Sequence, residues 1–127
     1  MSHPYLNLSE SETYPGKFVV GTTSHQSSGN GLINKSVKIV EIPQTFNGTE
    51  IAEIGYWSFS SLEITSVFIP KTVLHICREA FFYCRQLTDV RFEEGSTLQK
   101  LDPLVFNYCN SLKKIDFPAS VTTILVY

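Results

Sequence analysis

The chain has 127 residues, of which 43% are hydrophobic and 17% charged, and a formal net charge of −2. That is one domain's length, and without a basic excess it offers little to attract nucleic acid. Apolar runs such as Phe18-Val19-Val20 and Ile124-Leu125-Val126-Tyr127 are too short to span a bilayer as a helix, and Ser9-Glu10-Ser11-Glu12 stands where a secretory leader would place its apolar stretch, so neither membrane insertion nor a leader is expected.

Residues 1–16 contain Pro4, Pro15 and Gly16 and little for a core, which predicts an extended or mobile arm. Lys17-Phe18-Val19-Val20-Gly21 reads as a short strand, and the Ser/Gly/Asn-rich stretch from Thr22 to Gly31 as a loop. Together residues 17–36 are expected to form an N-terminal cap.

From Val37 onward the chain repeats. Val37-Lys38-Ile39-Val40-Glu41-Ile42-Pro43, Ile64-Thr65-Ser66-Val67-Phe68-Ile69-Pro70, Leu87-Thr88-Asp89-Val90-Arg91-Phe92-Glu93 and Leu112-Lys113-Lys114-Ile115-Asp116-Phe117-Pro118 share one apolar-x-x-apolar-x-apolar pattern, and their starts lie 27, 23 and 25 residues apart. A second pair of anchors comes after each start: Ile51/Ile54, Val73/Ile76, Leu98/Leu101 and Val121/Ile124. Phe59, Phe81 and Phe106 come next, the last two trailed by Cys84 and Cys109. A coil with this apolar set cannot bury it alone, so the repeats must stack, Phe81 over Phe106, Cys84 over Cys109 and Leu87 over Leu112. The alternating triplets predict one short strand per coil and a parallel sheet along one side. Pro43, Pro70 and Pro118 end their strands. The return arm Glu79–Cys84 has room for one tight helical or 3₁₀ turn, and no long helix is expected. The fold class is therefore α/β in name and mostly β in content, a leucine-rich repeat solenoid. Its coils span residues 37–63, 64–86, 87–111 and an incomplete 112–127.

The segment Val73-Leu74-His75-Ile76-Cys77-Arg78-Glu79-Ala80-Phe81-Phe82-Tyr83-Cys84-Arg85-Gln86-Leu87 resembles the BspA-like leucine-rich repeat, with its Ala-Phe-x-x-Cys-x-x-Leu signature. Leu98 to Leu112 is similar, with Val105 in place of the Ala, and Phe46-Asn47-Gly48 resembles the Asn-Gly insertion of a first repeat. The likeness covers about residues 37–124. It implies a non-catalytic module for protein–protein contact, surface adhesion or host- and matrix-protein binding, at the cell surface or secreted. Three unpaired thiols would suit a reducing interior as well.

Binding is expected on the concave side, where the residues between the apolar anchors point outward. They are Lys38, Ile39 and Glu41, then Thr65, Ser66 and Phe68, then Thr88, Asp89 and Arg91, then Lys113, Lys114 and Asp116. Glu41, Phe68, Arg91 and Asp116 are the candidate contacts, with Phe68 and Arg91 able to stack. At the far end the fourth coil lacks Ala-Phe-x-x-Cys, which reads as a fragment of a longer solenoid or an abrupt end. Val121, Ile124, Leu125, Val126 and Tyr127 would then be uncovered, an apolar edge for self-association into dimers or fibres.

No catalytic constellation, cofactor motif or metal motif stands out, and an enzyme is not expected. Cys77, Cys84 and Cys109 read as buried small hydrophobes. His75 and Cys77 share one face at H-x-C spacing, too few ligands for zinc, and are expected only to pack. Arg78, Glu79 and Arg85 read as solvated charges of the return arm, and Tyr83 and Tyr108 as surface packing.

Overall fold

A computed structural model describes residues 2–23, 27–121 and, for the backbone, 123–124. The strands are β1 (Leu8–Glu10), β2 (Phe18–Val20), β3 (Ile39–Glu41), β4 (Thr45–Phe46), β5 (Thr49–Ile54), β6 (Ser66–Ile69), β7 (His75–Ile76), β8 (Asp89–Phe92), β9 (Lys100–Leu101) and β10 (Thr123–Ile124). They form not one sheet but two. The first, β3-β6-β8, is parallel and aligns Val40, Val67 and Val90. The second runs β1-β2-β5-β7-β9-β10, with β4 folded back on β5 as a hairpin over Asn47-Gly48. The second anchors of each repeat build this second sheet, as Ile54, Ile76 and Leu101 pair in register. Each of the first three coils thus has three sides, two strands and a return arm, and their inward side chains meet in one core.

The return arms carry the i→i+3 hydrogen bonds of a 3₁₀ turn, such as Ala80 N–H to Cys77 O and Cys84 N–H to Phe81 O, yet no helix of any type forms among the described residues. The reason is a left-handed residue every fourth position: Trp57 and Ser61, Glu79 and Tyr83, Leu104 and Tyr108, with φ between 58° and 64°. A positive φ at the third turn position belongs to a type II turn, which resets the chain direction instead of winding on. Consecutive turns therefore lie flat, and their free N–H groups reach the next coil: Phe59 to Ala80 O, Phe81 to Val105 O, Tyr83 to Asn107 O.

Phe59, Phe81 and Phe106 stack with centroids 5.1 and 5.3 Å apart and rings within 11° of parallel. Phe59 and Phe81 are fully buried, whereas Phe106 is only partly so. Cys84 and Cys109 are buried too, and each thiol donates to the carbonyl of the Phe one coil back, Phe59 at 2.9 Å and Phe81 at 3.1 Å. They are free cysteines, as is the buried Cys77.

Three expectations need correction. The first concerns the expected arm, whose described residues 2–16 are not loose. Leu6 is buried in the core, β1 pairs antiparallel with β2, and the Tyr5 hydroxyl donates to Glu41 O at 2.8 Å and accepts from Glu41 N–H, closing the outer edge of β3. An apolar anchor, strand pairing and side-chain hydroxyls at Tyr5, Ser9 and Ser11 hold a stretch whose composition reads as arm. Next, Leu112–Pro118 forms no strand, so the first sheet stops at β8 although Ile115 and Phe117 keep the alternation. Finally, Glu79 is not a solvated charge. Its left-handed backbone turns the side chain inward to 13% exposure, where it accepts from Arg78 Nε.

Candidate binding face and buried polar cluster

The outward side of the first sheet carries the predicted column. Register places Glu41 beside Phe68 and Phe68 beside Arg91. The Arg91 guanidinium lies 5.8 Å from the Phe68 ring centre and also 3.2 Å from Asp89. Phe68 is half-buried, contrary to its reading as an exposed aromatic, because Arg91 lies over it. The large exposed apolar residue of this face is instead Ile39, next to Glu41. Asp116 stands apart from the column: its coil forms no strand, and it is a highly exposed carboxylate 3.6 Å from Lys114.

Of the apolar set at the far end, Val121 is half-buried against the core rather than turned outward. The Ile124 backbone pairs with Leu101. Leu125, Val126 and Tyr127 lie outside the described residues.

The second sheet holds an arrangement that sequence reasoning missed. With Ile54, Ile76 and Leu101 facing the core, their strand neighbours Glu53, His75 and Lys100 turn to the opposite face, aligned by register. Lys100 is exposed, but over Glu53 and His75 that face is covered. Residues 11–14 fold over it, and the Ser11 hydroxyl donates to Glu53 Oε1 at 2.7 Å while accepting from the Thr13 and Tyr14 N–H groups. Glu53 is fully buried, and His75, Cys77 and Asp102 are each at most 8% exposed. His75 Nδ1 lies 3.1 Å from Glu53 Oε2, the Cys77 thiol donates to the same oxygen at 3.3 Å, and His75 Nε2 lies 3.0 Å from Asp102 Oδ1. This last pair is close but poorly aligned, so it is an ion pair and not a hydrogen bond, with Lys100 Nζ 3.7 Å from the same carboxylate oxygen.

The electrostatics reflect burial set against contact. Burial opposes charge on His75, but its contacts with Asp102 and Glu53 outweigh that and push the imidazole up to about 9. Burial would likewise raise both carboxyls, yet bonds from His75, Ser11 and Cys77 hold Glu53 below its ordinary value, and His75 and Lys100 do the same for Asp102. The Cys77 thiol is pushed strongly up, by burial first and then by the Glu53 charge. At neutral pH an imidazolium therefore stands between two carboxylates, and the adjoining thiol is not a nucleophile. The H-x-C spacing was the visible trace of this cluster. Glu53 and Asp102, each more than 20 residues from His75 in sequence, had no local signal.

Stacked parallel coils with one repeating apolar ladder define a leucine-rich repeat solenoid. Residues 31–127 match the BspA type leucine rich repeat region in six copies, and the chain belongs to that family. A leucine-rich repeat protein of T. pallidum superposes with a TM-score of 0.74 at 19% identity, over 98% of this chain and 52% of its own. One from Bacteroides capillosus gives 0.65 at 23% identity, over 100% and 96%. A leucine rich cell surface protein of Faecalibacterium prausnitzii gives 0.68 at 20%, over 98% and 32%. The chain thus spans about half the length of the T. pallidum protein. No curated protein matches it. No helix among the described residues is long and apolar enough to cross a membrane.

Proposed function

We propose that this chain is a non-catalytic binding module that takes an extended protein partner, such as a host or matrix protein, across the outward face of its first sheet at a cell surface. The observation that carries this is the register of Glu41, Phe68 and Arg91 in one column, flanked by the exposed Ile39. An apolar anchor beside an aromatic held under a guanidinium, rimmed by charges of both signs, is the composition of a protein-contact patch. Surface location is supported by the family and by the F. prausnitzii likeness. Binding to immobilised matrix proteins is the test, with the double variant Ile39→Ala/Arg91→Ala expected to weaken it at least tenfold. Unchanged binding by that variant would place the contact elsewhere.

A second reading, self-assembly, is favoured by one observation: the outer edge of β10, the last strand of the second sheet, has no strand partner among the described residues. An open parallel edge can accept a strand from a second copy. Val121, Ile124, Leu125, Val126 and Tyr127 would be the associating set in that case. Light scattering should then show dimers or larger species at tens of micromolar or so, and monomers alone would remove this reading.

A further inference from the structure

We propose that Glu53, His75 and Cys77 form a zinc site on the outer face of the second sheet, beneath residues 11–14, with Asp102 orienting the histidine. The three ligand atoms converge on one point. Their mutual distances are 3.1 Å (His75 Nδ1 to Glu53 Oε2), 3.3 Å (Cys77 Sγ to the same oxygen) and 3.9 Å (Cys77 Sγ to His75 Nδ1). Bonds of about 2.0–2.3 Å in a tetrahedron put ligand atoms roughly 3.4–3.6 Å apart, so an ion at the centre asks for shifts of a few tenths of an ångström. A thiolate, an imidazole and a carboxylate form a donor set that suits zinc and disfavours magnesium or calcium, which take oxygen ligands.

Two further features point the same way. His75 faces the proposed ion with Nδ1 and holds Nε2 3.0 Å from Asp102 Oδ1, a contact that a small turn of the ring would align into the carboxylate–histidine–metal order of a ligand imidazole. Charge also balances. Zinc replaces two protons, one from the Cys77 thiol and one from His75 Nδ1, and both are released to solvent. Thiolate and Glu53 carboxylate then neutralise the ion, while Asp102 keeps Lys100 as its counter-charge. Three protein ligands leave one position of the tetrahedron to water. The site is independent of the binding face on the first sheet.

Cobalt serves as the spectroscopic substitute for zinc. Titrating the purified chain with Co²⁺, both as isolated and after refolding from urea with the ion present because Cys77 is buried, is expected to bind one equivalent. It should give a thiolate-to-cobalt charge-transfer band that Zn²⁺ bleaches. Cys77→Ser should lose the band, and Cys84→Ser and Cys109→Ser should keep it. Asp102→Asn should weaken binding about 10–100-fold. Circular dichroism shows whether Cys77→Ser folds. If it does not, alkylation of wild-type Cys77, located by mass spectrometry, decides: zinc should slow it at least tenfold relative to chelator-treated protein. No thiolate band in either preparation, a band that survives Cys77→Ser, or alkylation indifferent to zinc would overturn the site.

Discussion

From β5 to β9 the second sheet shares with the first one period, one parallel register and one aliphatic inner face, yet the outward residues of the two sheets meet different surroundings. On the first sheet the outward residues Ile39, Glu41 and Arg91 are open to solvent. On the second, the outward residues Glu53 and His75 lie under Ser11 and Tyr14 and are buried. Strand alternation decides which side chains leave the core. What lies over them is decided by a segment far away in sequence. A polar outward residue can therefore be a solvated contact in one sheet and half of a buried ion pair in the other.

Five substitutions test how far that difference goes. The largest effect belongs to what the sheets share: Phe81→Ala, in the middle of the ring stack, should cost about 3–5 kcal/mol in urea unfolding, the scale of a fully buried Phe. Phe106→Ala should cost less, since that ring is partly exposed. Next comes the covered face. Glu53→Ala strips His75 and Ser11 of their shared partner and should cost about 3 kcal/mol. A loss under about 0.5 kcal/mol would mean that residues 11–14 do not keep water out. Ser11→Ala, which removes one hydrogen bond to Glu53 and leaves the ion pair, should cost about 1 kcal/mol, and hydrogen exchange at Thr13 and Tyr14 should rise. On the open face, Arg91→Ala should stay within about 0.5 kcal/mol by the same unfolding measurement. A larger loss would show that the Phe68 contact is structural, and that the two outer faces differ less than their exposure suggests.

Much of the solenoid was legible from sequence because each of its rules is local or periodic. The Phe59–Phe81–Phe106 stack and the paired thiols recur at the coil spacing, and coil on coil is how they sit. The Glu41–Phe68–Arg91 register comes from the same count. The second sheet was written in the anchors Ile54, Ile76 and Leu101, but two-residue strands such as β7 and β9 are too short to show alternation. The left-handed turns were hidden for a different reason: Trp57, Glu79, Leu104 and Tyr108 are not residues that announce positive φ. Ser11 over Glu53 pairs residues 42 apart, outside any repeat. The cluster it covers needed the fold before its members could be seen as neighbours.

The direction of the coil-to-coil bonds has a mechanical consequence. Strands run across the solenoid, so the bonds from Asp89 N–H to Thr65 O, or from Phe81 N–H to Val105 O, lie along its axis. A load applied along that axis does not shear a whole sheet at once. It opens one coil boundary at a time, each boundary closed by a few backbone bonds, one Phe contact and, at two of them, a thiol. A coil opened in this way releases about 80–90 Å of chain for its roughly 23–27 residues. Under tension the molecule would lengthen in steps of about one coil, an extensible tether rather than a rigid strut.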